Sequence, residues 1–447
     1  MNETSQFRKK LLILSLSLFL LGGSFYTQAQ DKKLSFPITL FKLKNGLQVI
    51  LSEDYSLPLV SVVIAYNVGS INEEIGKAGL AYLLENLMFQ GSENVSRMQH
   101  YSMIHRVGGE LNASTTADKT IFFQTVPSNQ LARVLWLESD RMKSLEINDS
   151  NVKQVKMSLI EEIHHRKANE PYLESYFKFD RLLYPDFAYS HPVIGDEADL
   201  RNLTVEDVKK FYSTFYKPNN AVLSIAGNID KKKTEEEIRK YFKTIPEGKN
   251  IPPFPSPKLP ERKPIVRTHK DSFASSPGFH LGYKIASSSS DDFYPLKIVE
   301  YILLRGKTSR LYKRLIKRAR IASHLSGGIE KRKDLAYLKI FVVNNNTIMM
   351  QRSKRAIFSE INKLKLSLIS QRELQKSKNM FKMEYINQYA TSADKARFLA
   401  ESFLSKNSLD HLPDELEKYL AVTPSDIIRI IRKYFTHESI ILNVTIR

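Results

Sequence analysis

The sequence predicts an α+β protein built from two copies of one domain, and three observations predict it. Segments of the two halves repeat at a constant offset, a proline-dense stretch lies midway, and strand patterns group apart from helix patterns within each half. Strands segregated from helix pairs give a layered α+β arrangement rather than a doubly wound parallel sheet.

The N-terminus comes first and stands apart. Arg8, Lys9 and Lys10 precede an apolar run from Leu11 to Leu21, followed by "GGSFYTQAQ". A basic start, a short apolar core and small residues at Thr27 and Ala29 have the pattern of a secretory signal peptide over residues 1–29. The run falls well short of the ~20 residues that span a bilayer. The expected mature chain starts near Gln30 and has no later run long and apolar enough for a membrane span. No cysteine occurs anywhere. This excludes disulfides, thiolate catalysis, cysteine-ligated zinc and a lipidated N-terminal cysteine. An exported chain without cysteine fits a bacterial periplasm.

The first copy is expected over residues 38–244. "LFKLKNGLQVILSED" reads as a hairpin turning at Asn45–Gly46, a strong local signal. "LVSVVIAYNVG" alternates as a strand, "KTIFFQTV" follows as another, and long helices are expected at about 128–145 and 150–168. Residues 245–264, "IPEGKNIPPFPSPKLPERKP", hold seven of the eighteen prolines. Such a stretch can neither continue a helix nor pair inside a sheet, so it is expected to link the two copies. The second copy then runs over 265–447. "TVEDVKKFYSTFYKPNNAVLSIAG" from Thr204 and "TPSDIIRIIRKYFTHESIILNVTI" from Thr423 match at an offset of 219. Thr204 falls on Thr423, Asp207 on Asp426 and Phe215–Tyr216 on Tyr434–Phe435. Each reads as a capped amphipathic helix, a turn and an apolar strand. "YLLENLMFQG" (82–91) likewise resembles "KIVEYILLRG" (297–306). A self-similar chain of this kind implies duplicated domains.

The formal net charge is +19, with a dense basic group from Arg305 to Arg320, "RGKTSRLYKRLIKRAR". No base-stacking motif accompanies it, and an export signal argues against nucleic acid. The bland reading is a solvated basic face. The alternatives are attraction to acidic peptides, an anionic envelope surface or an acidic partner.

The chemistry centres on "AGLAYLLENLMFQGS" (78–92), a helix with Tyr82, Glu85 and Asn86 at i, i+3 and i+4 on one face. Histidines at the outer two positions, with this glutamate between them, would form a zinc site, because i and i+4 side chains share a face. A phenol and a neutral amide are poor replacements for imidazole.

At this point the chain resembles the pitrilysin/insulinase family of zinc metallopeptidases, which includes the mitochondrial processing peptidases and the core subunits of respiratory complex III. "VGSINEE", "AGLAYLLENLMFQGS", "GGELNASTTADKTIFF", "FYKPNNAVLSIAGNI" and "DDFYPLKIVEYILLRGKTSRLYKRL" carry the resemblance over nearly the whole mature chain. It implies two processing-peptidase-like domains, each a mostly antiparallel sheet packed with helices, together forming half of a clamshell. The zinc helix of the family carries H-x-x-E-H. Tyr82 and Asn86 occupy the two histidine positions and Glu85 that of the general base. The third ligand position falls on Glu162, while the supporting glutamate seven residues earlier is Val155. One metal ligand of three survives, so no cofactor is expected in this chain. His164 and His165, beside Glu161 and Glu162, read as a solvated helix face rather than a relocated metal site.

In heterodimeric members the non-catalytic chain carries an arginine and a tyrosine that hold substrate. Those positions fall on Ile316 and Ser323, so the clamp is lost. "KDLAY", ending at Tyr337, has Glu330 where arginine should be. Asn112, Ala113 and Ser114 lie where family members pair with an extended peptide, a contact that needs few particular side chains. An unliganded turn is the bland reading there.

The expectation is an inactive peptidase homologue, the non-catalytic subunit of a heterodimeric periplasmic zinc peptidase. Its partner would be a paralogous chain with an intact motif, supplying zinc and base to peptide substrates. The alternatives are a scaffold or peptide-binding subunit of an envelope complex without peptidase activity, and an active metallopeptidase using a non-standard site.

Overall fold

The structure is a computed structural model that describes residues 37–255 and 263–446. The expected signal peptide and the middle of the proline-dense stretch lie outside the described residues.

Each half contributes one sheet. The first is built from β1 (Thr39–Lys42), β2 (Gln48–Glu53), β3 (Leu59–Tyr66), β4 (Glu110–Thr115), β5 (Thr120–Pro127) and β6 (Ala221–Gly227), in the order β1-β2-β6-β3-β5-β4. The second has β7 (Ile265–Lys270), β8 (Gly278–Ile285), β9 (Ala322–Lys331), β10 (Ala336–Asn344) and β11 (Ile440–Thr445), in the order β7-β11-β8-β10-β9. Only β2 with β6 and β7 with β11 run parallel; the other pairs are antiparallel. The β1–β2 turn forms at Asn45–Gly46, where Gly46 has φ +89°, a conformation that suits glycine. Asn45 Nδ2 donates to the carbonyls of Phe242 and Ile245 at 2.8 and 2.9 Å, fastening this turn to the end of the first half.

The helices that position the site and join the halves are α1 (Leu80–Leu87), α2 (Leu131–Lys143), α3 (Asp149–Asn169), α4 (Leu173–Leu183), α5 (Val205–Phe215), α6 (Phe293–Leu303), α7 (Thr347–Leu366), α8 (Gln371–Asn387), α9 (Ser392–Lys406) and α10 (Pro424–Tyr434). The duplication extends to element boundaries: β3 and β8, α4 and α9, α5 and α10, and β6 and β11 each begin 219 residues apart. Thr204 and Thr423 cap α5 and α10 in the same way. Each hydroxyl accepts from the N–H of Asp207 or Asp426, whose carboxylate reaches back to the cap.

The halves are joined by an exchange of helices. α4, from the first half, lies on the second sheet. Phe179 and Leu183 pack beneath Gly282, whose missing side chain leaves room for them. The Tyr337 hydroxyl donates to Leu183 O at 2.7 Å, Ser175 Oγ and His280 Nε2 are 2.8 Å apart, and Tyr172 donates to Ser276 O at 2.7 Å. α9, from the second half, lies across β3 and β6 with Ala396, Leu399, Ala400 and Phe403 buried. Ser392 Oγ meets Ser61 Oγ at 2.9 Å, and Lys119 pairs with Glu401 at 2.7 Å.

This exchange accounts for a difference from expectation. The sequence of β3 alternates, which predicts a strand with one wet face. Val60 to Tyr66 are instead all buried, Ser61 included. The polar face of β3 is covered by α9, and Ser61 finds its partners there and in Thr125 Oγ1 at 2.8 Å.

Leu399 is fully buried between the halves. Leu399→Ala is expected to lower the unfolding free energy by about 3 kcal/mol, in the range for large-to-small core changes. Trp136, the single tryptophan, lies in the first half. Its fluorescence and the far-UV circular dichroism should shift together in urea, although the substitution is in the second half. Two separate transitions would refute the interlock.

Candidate functional site

The site starts from how α1 is held. Gly79, at φ +95°, opens the helix, and the chain of Ile194–Gly195 passes so close that a side chain there would strike Ile194 O. The first helical N–H groups need acceptors, and a distant carboxylate supplies them. Glu73 accepts from Gly79 N and Ala81 N, both at 2.8 Å. Its Oε2 also lies 2.8 Å from His191 Nε2, and the other ring nitrogen of His191 is 2.6 Å from Phe187 O. Burial raises the Glu73 pKa, partly offset by His191 and the helix N–H groups. Burial alone would lower the His191 pKa, but the Glu73 carboxylate outweighs it and the net shift is upward. The sequence reading missed this pair. Glu73 lies in "VGSINEE", which carried the family resemblance without a role for its glutamates, and no role was assigned to His191.

One turn into α1, the three aligned side chains meet α3 and β4. The Tyr82 hydroxyl is 3.4 Å from both oxygens of Glu162, so these two side chains meet. Burial pushes the Tyr82 pKa up to about 12, helped by the Glu162 and Glu85 carboxylates. The phenol therefore keeps its proton at neutral pH and donates it to Glu162. Asn86 turns its amide nitrogen back to Tyr82 O at 2.9 Å. It has no lone pair to offer at that nitrogen.

Glu85 points at the sheet. Thr115, the last residue of β4, lies beside this carboxylate, and its hydroxyl donates to Thr120 Oγ1 at 3.3 Å. Burial raises the Glu85 pKa; Thr115 opposes it and the nearby Glu162 adds to it. Oε2 of Glu85 is buried with no hydrogen-bond partner among the described residues. β4 forms one edge of its sheet, paired to β5, so Asn112, Ala113 and Ser114 lie on an edge strand. The Ala113 N–H is held by the Asn112 side chain at 2.8 Å.

The other expected positions lie apart from this cluster. His164 pairs with Glu197 at 2.6 Å, and His165 is exposed. Ile316 is half-buried in a π-helical segment, Tyr312–Arg318, and Ser323 Oγ donates to Val343 O at 3.4 Å. Glu330 is tied to Arg332 at 2.7 Å and to Lys339, and the Tyr337 hydroxyl is spent on α4. No group of three or more His, Cys, Asp or Glu side chains suited to a metal ion occurs among the described residues.

The comparisons decide the lineage. The insulinase model (peptidase family M16) matches residues 48–179, and the peptidase M16 inactive-domain model matches residues 202–381. The chain belongs to the insulinase family. It is 31% identical over 445 residues to the zinc protease PqqE of Helicobacter pylori, an alignment covering 96% of each chain. Among solved structures it is similar to a protease from Helicobacter pylori, with a TM-score of 0.86 and 28% identity, covering 91% of this chain and 99% of that one. It also shares its fold with a peptidase M16 inactive domain from Pseudomonas fluorescens, with a TM-score of 0.81 and 17% identity, covering 91% of this chain and 97% of that one.

Zinc is the cofactor this insulinase lineage implies, and the donor set at α1 does not fit it. Zinc needs imidazole, thiolate or carboxylate lone pairs. Of the three positions, one carboxylate remains; the others present a protonated phenol and an amide N–H turned to the backbone. No step is routed through a metal here.

Two outcomes follow. Tyr82→His combined with Asn86→His should raise bound zinc from near none to about one per chain, read by metal analysis after gel filtration, since Glu162 already faces that spot. A variant that stays metal-free would refute the geometry. For Glu85, a raised pKa means the folded state holds this proton more tightly than the unfolded state. Its charge therefore costs stability above about pH 4.3, and the cost fades as pH falls. Glu85→Gln should thus stabilise the fold at pH 7, with the gain shrinking towards pH 4 in urea titrations.

Proposed function

We propose that this chain is the non-catalytic subunit of an exported, two-chain zinc peptidase of the insulinase family. In this reading a paralogous chain with intact H-x-x-E-H supplies metal and base. This chain supplies one wall of the peptide chamber and an edge strand. The observation that carries the reading is the contrast at α1. The helix, its Glu73–His191 support, the Glu162 position and the edge strand all keep their geometry, while two of the three metal donors are gone. The expected signal peptide supports export, and a bacterial periplasm is the compartment that fits a chain without cysteine.

Main-chain pairing explains how such a subunit can hold peptide without a catalytic set. An extended peptide can add to β4 through N–H and C=O groups alone. It would take over the Ala113 N–H from the Asn112 side chain.

The test mixes this chain with an H-x-x-E-H paralogue and follows cleavage of fluorogenic peptides. This chain alone should cleave nothing, and the pair should cleave. Glu85→Gln should leave the rate of the pair within about twofold. The glutamate-to-glutamine change in the partner motif should abolish it, a loss of order 10³ or more. Ala113→Pro removes one outward N–H and should weaken peptide binding by about tenfold. Cleavage by the isolated chain that depends on Glu85 would refute the proposal.

A further inference from the structure

The basic segment that the sequence singled out has no part in the site. Arg305 and Arg310 at its start are satisfied, by Glu300 at 2.7 Å and Glu373 at 2.8 Å. The rest is not. Lys313, Arg314, Lys317, Arg318 and Arg320 are exposed along the π-helical segment and its end, and none forms an ion pair among the described residues. Five cations held within eight residues repel one another, and the carboxylate that Lys313 faces, Glu373, is already paired with Arg310. Lys376 extends the patch onto α8: its ammonium donates to Thr308 O at 3.2 Å, and Lys313 and Lys376 both act on the Glu373 carboxylate.

The same face of α8 goes on to two methionines beside the hydrogen-bonded amides of Gln375 and Asn379. Arg372, Lys376, Met380 and Met383 recur at i, i+4, i+8 and i+11, so they form one stripe lining an open trough. Met383 is 68% exposed. Leu366, which ends α7, and Leu368, in the turn before α8, add to it, 81% and 63% exposed. Large apolar side chains this exposed, interleaved with unpaired cations, mark an interaction surface rather than a solvated face.

We infer that this face, the π-helical segment with α8 and the turn before it, docks on an anionic lipid bilayer. A bilayer answers both halves of the pattern. Its phosphates form a continuous anionic layer for cations spread over a surface, and its interfacial region accepts leucine and methionine side chains. The trough is open and shallow, without the enclosed polar groups that would select an acidic peptide. Each basic residue near such a surface strengthens binding by roughly fivefold, so four account for two orders of magnitude or more.

The test is sedimentation of the full chain with vesicles of phosphatidylcholine alone or with equimolar phosphatidylglycerol. The expected result is binding to the phosphatidylglycerol vesicles at low salt and its loss near 1 M salt, where the screening length is ~3 Å. Lys313→Glu, Arg314→Glu, Lys317→Glu and Arg318→Glu together should weaken that binding at least ~100-fold. Leu366→Ser with Leu368→Ser should weaken it about tenfold and leave its salt dependence intact. The N-terminal apolar run is the same in every variant, so its contribution cancels. Trp136 fluorescence in urea reports whether each variant folds; should the reversed variant fail, the fourfold glutamine version decides, with an expected loss of at least tenfold. The inference is overturned by equal binding to both vesicles at low salt, by binding that survives the charge changes, or by capture on polyglutamate with no binding to vesicles. It stands independently of the peptidase reading.

Discussion

The exchange of α4 and α9 is the constraint on which the rest of the molecule depends. A sheet has two faces, and in this chain each half supplies helices for one face only. The second face of each sheet is closed by a helix from the other half, so neither half buries its core alone. The contacts are of core quality: Phe179 and Leu183 under Gly282, and Ala396, Leu399, Ala400 and Phe403 over β3 and β6. The hydrogen bonds of Ser61, Ser175 and Tyr337 complete them. The two sheets therefore share one packed core rather than two separate ones.

That shared core leaves the placement of α1 and α3 independent of any metal. α1 is placed by buried groups that have nothing to do with metal: the Glu73 carboxylate on its first N–H groups, His191 behind Glu73, and Gly79 pressed against Ile194–Gly195. α3 is placed by its own buried side chains, Val152, Val155, Leu159, Ile160 and Ile163. Val155 is instructive, since an apolar residue occupies the position where a charged support for the ligand would be expected. Tyr82 and Asn86 therefore sit on helices that need no metal to hold them in place. Tyr82 gains a bond to Glu162, and Asn86 gains one to the backbone.

Much of this was legible in the sequence, for physical reasons. The Asn45–Gly46 turn, the Thr204 and Thr423 caps and the constant offset are local signals, and local signals survive folding. The convergence of Tyr82 and Glu162 was legible through the family resemblance. That a phenol and an amide are poor zinc donors needed only the side-chain chemistry. What was not legible depends on contacts distant in sequence. The alternation of β3 predicts a wet face, and nothing near it announces α9, more than three hundred residues away. Glu73 and His191 are 118 positions apart and only the fold joins them. The segment at Arg305–Arg320 reads as an ordinary basic helix, whereas the π-helical winding and the satisfaction of Arg305 and Arg310 leave a narrower set of free cations.

The duplication also supplies an internal control for Glu85. Its counterpart in "KIVEYILLRG" is Glu300, on α6. Glu300 is fully buried and ion-paired on both sides, by Lys297 at 2.7 Å and Arg305 at 2.7 Å. Lys297 stands at the position that corresponds to Tyr82, and the Tyr301 hydroxyl, at the position of Asn86, donates to Glu384 at 2.5 Å. The second half thus shows the ordinary fate of this glutamate once no ligand is served: it becomes one member of a closed ionic network. Glu85 has not followed it. One of its oxygens is unpaired, burial and then the nearby Glu162 carboxylate press its pKa upward rather than neutralise it, and it lies beside Thr115 at the end of an edge strand. A side chain with only a structural role would gain from a cation at position 82, as Glu300 gains from Lys297. Without one, the Glu85 charge stays uncompensated beside the end of β4.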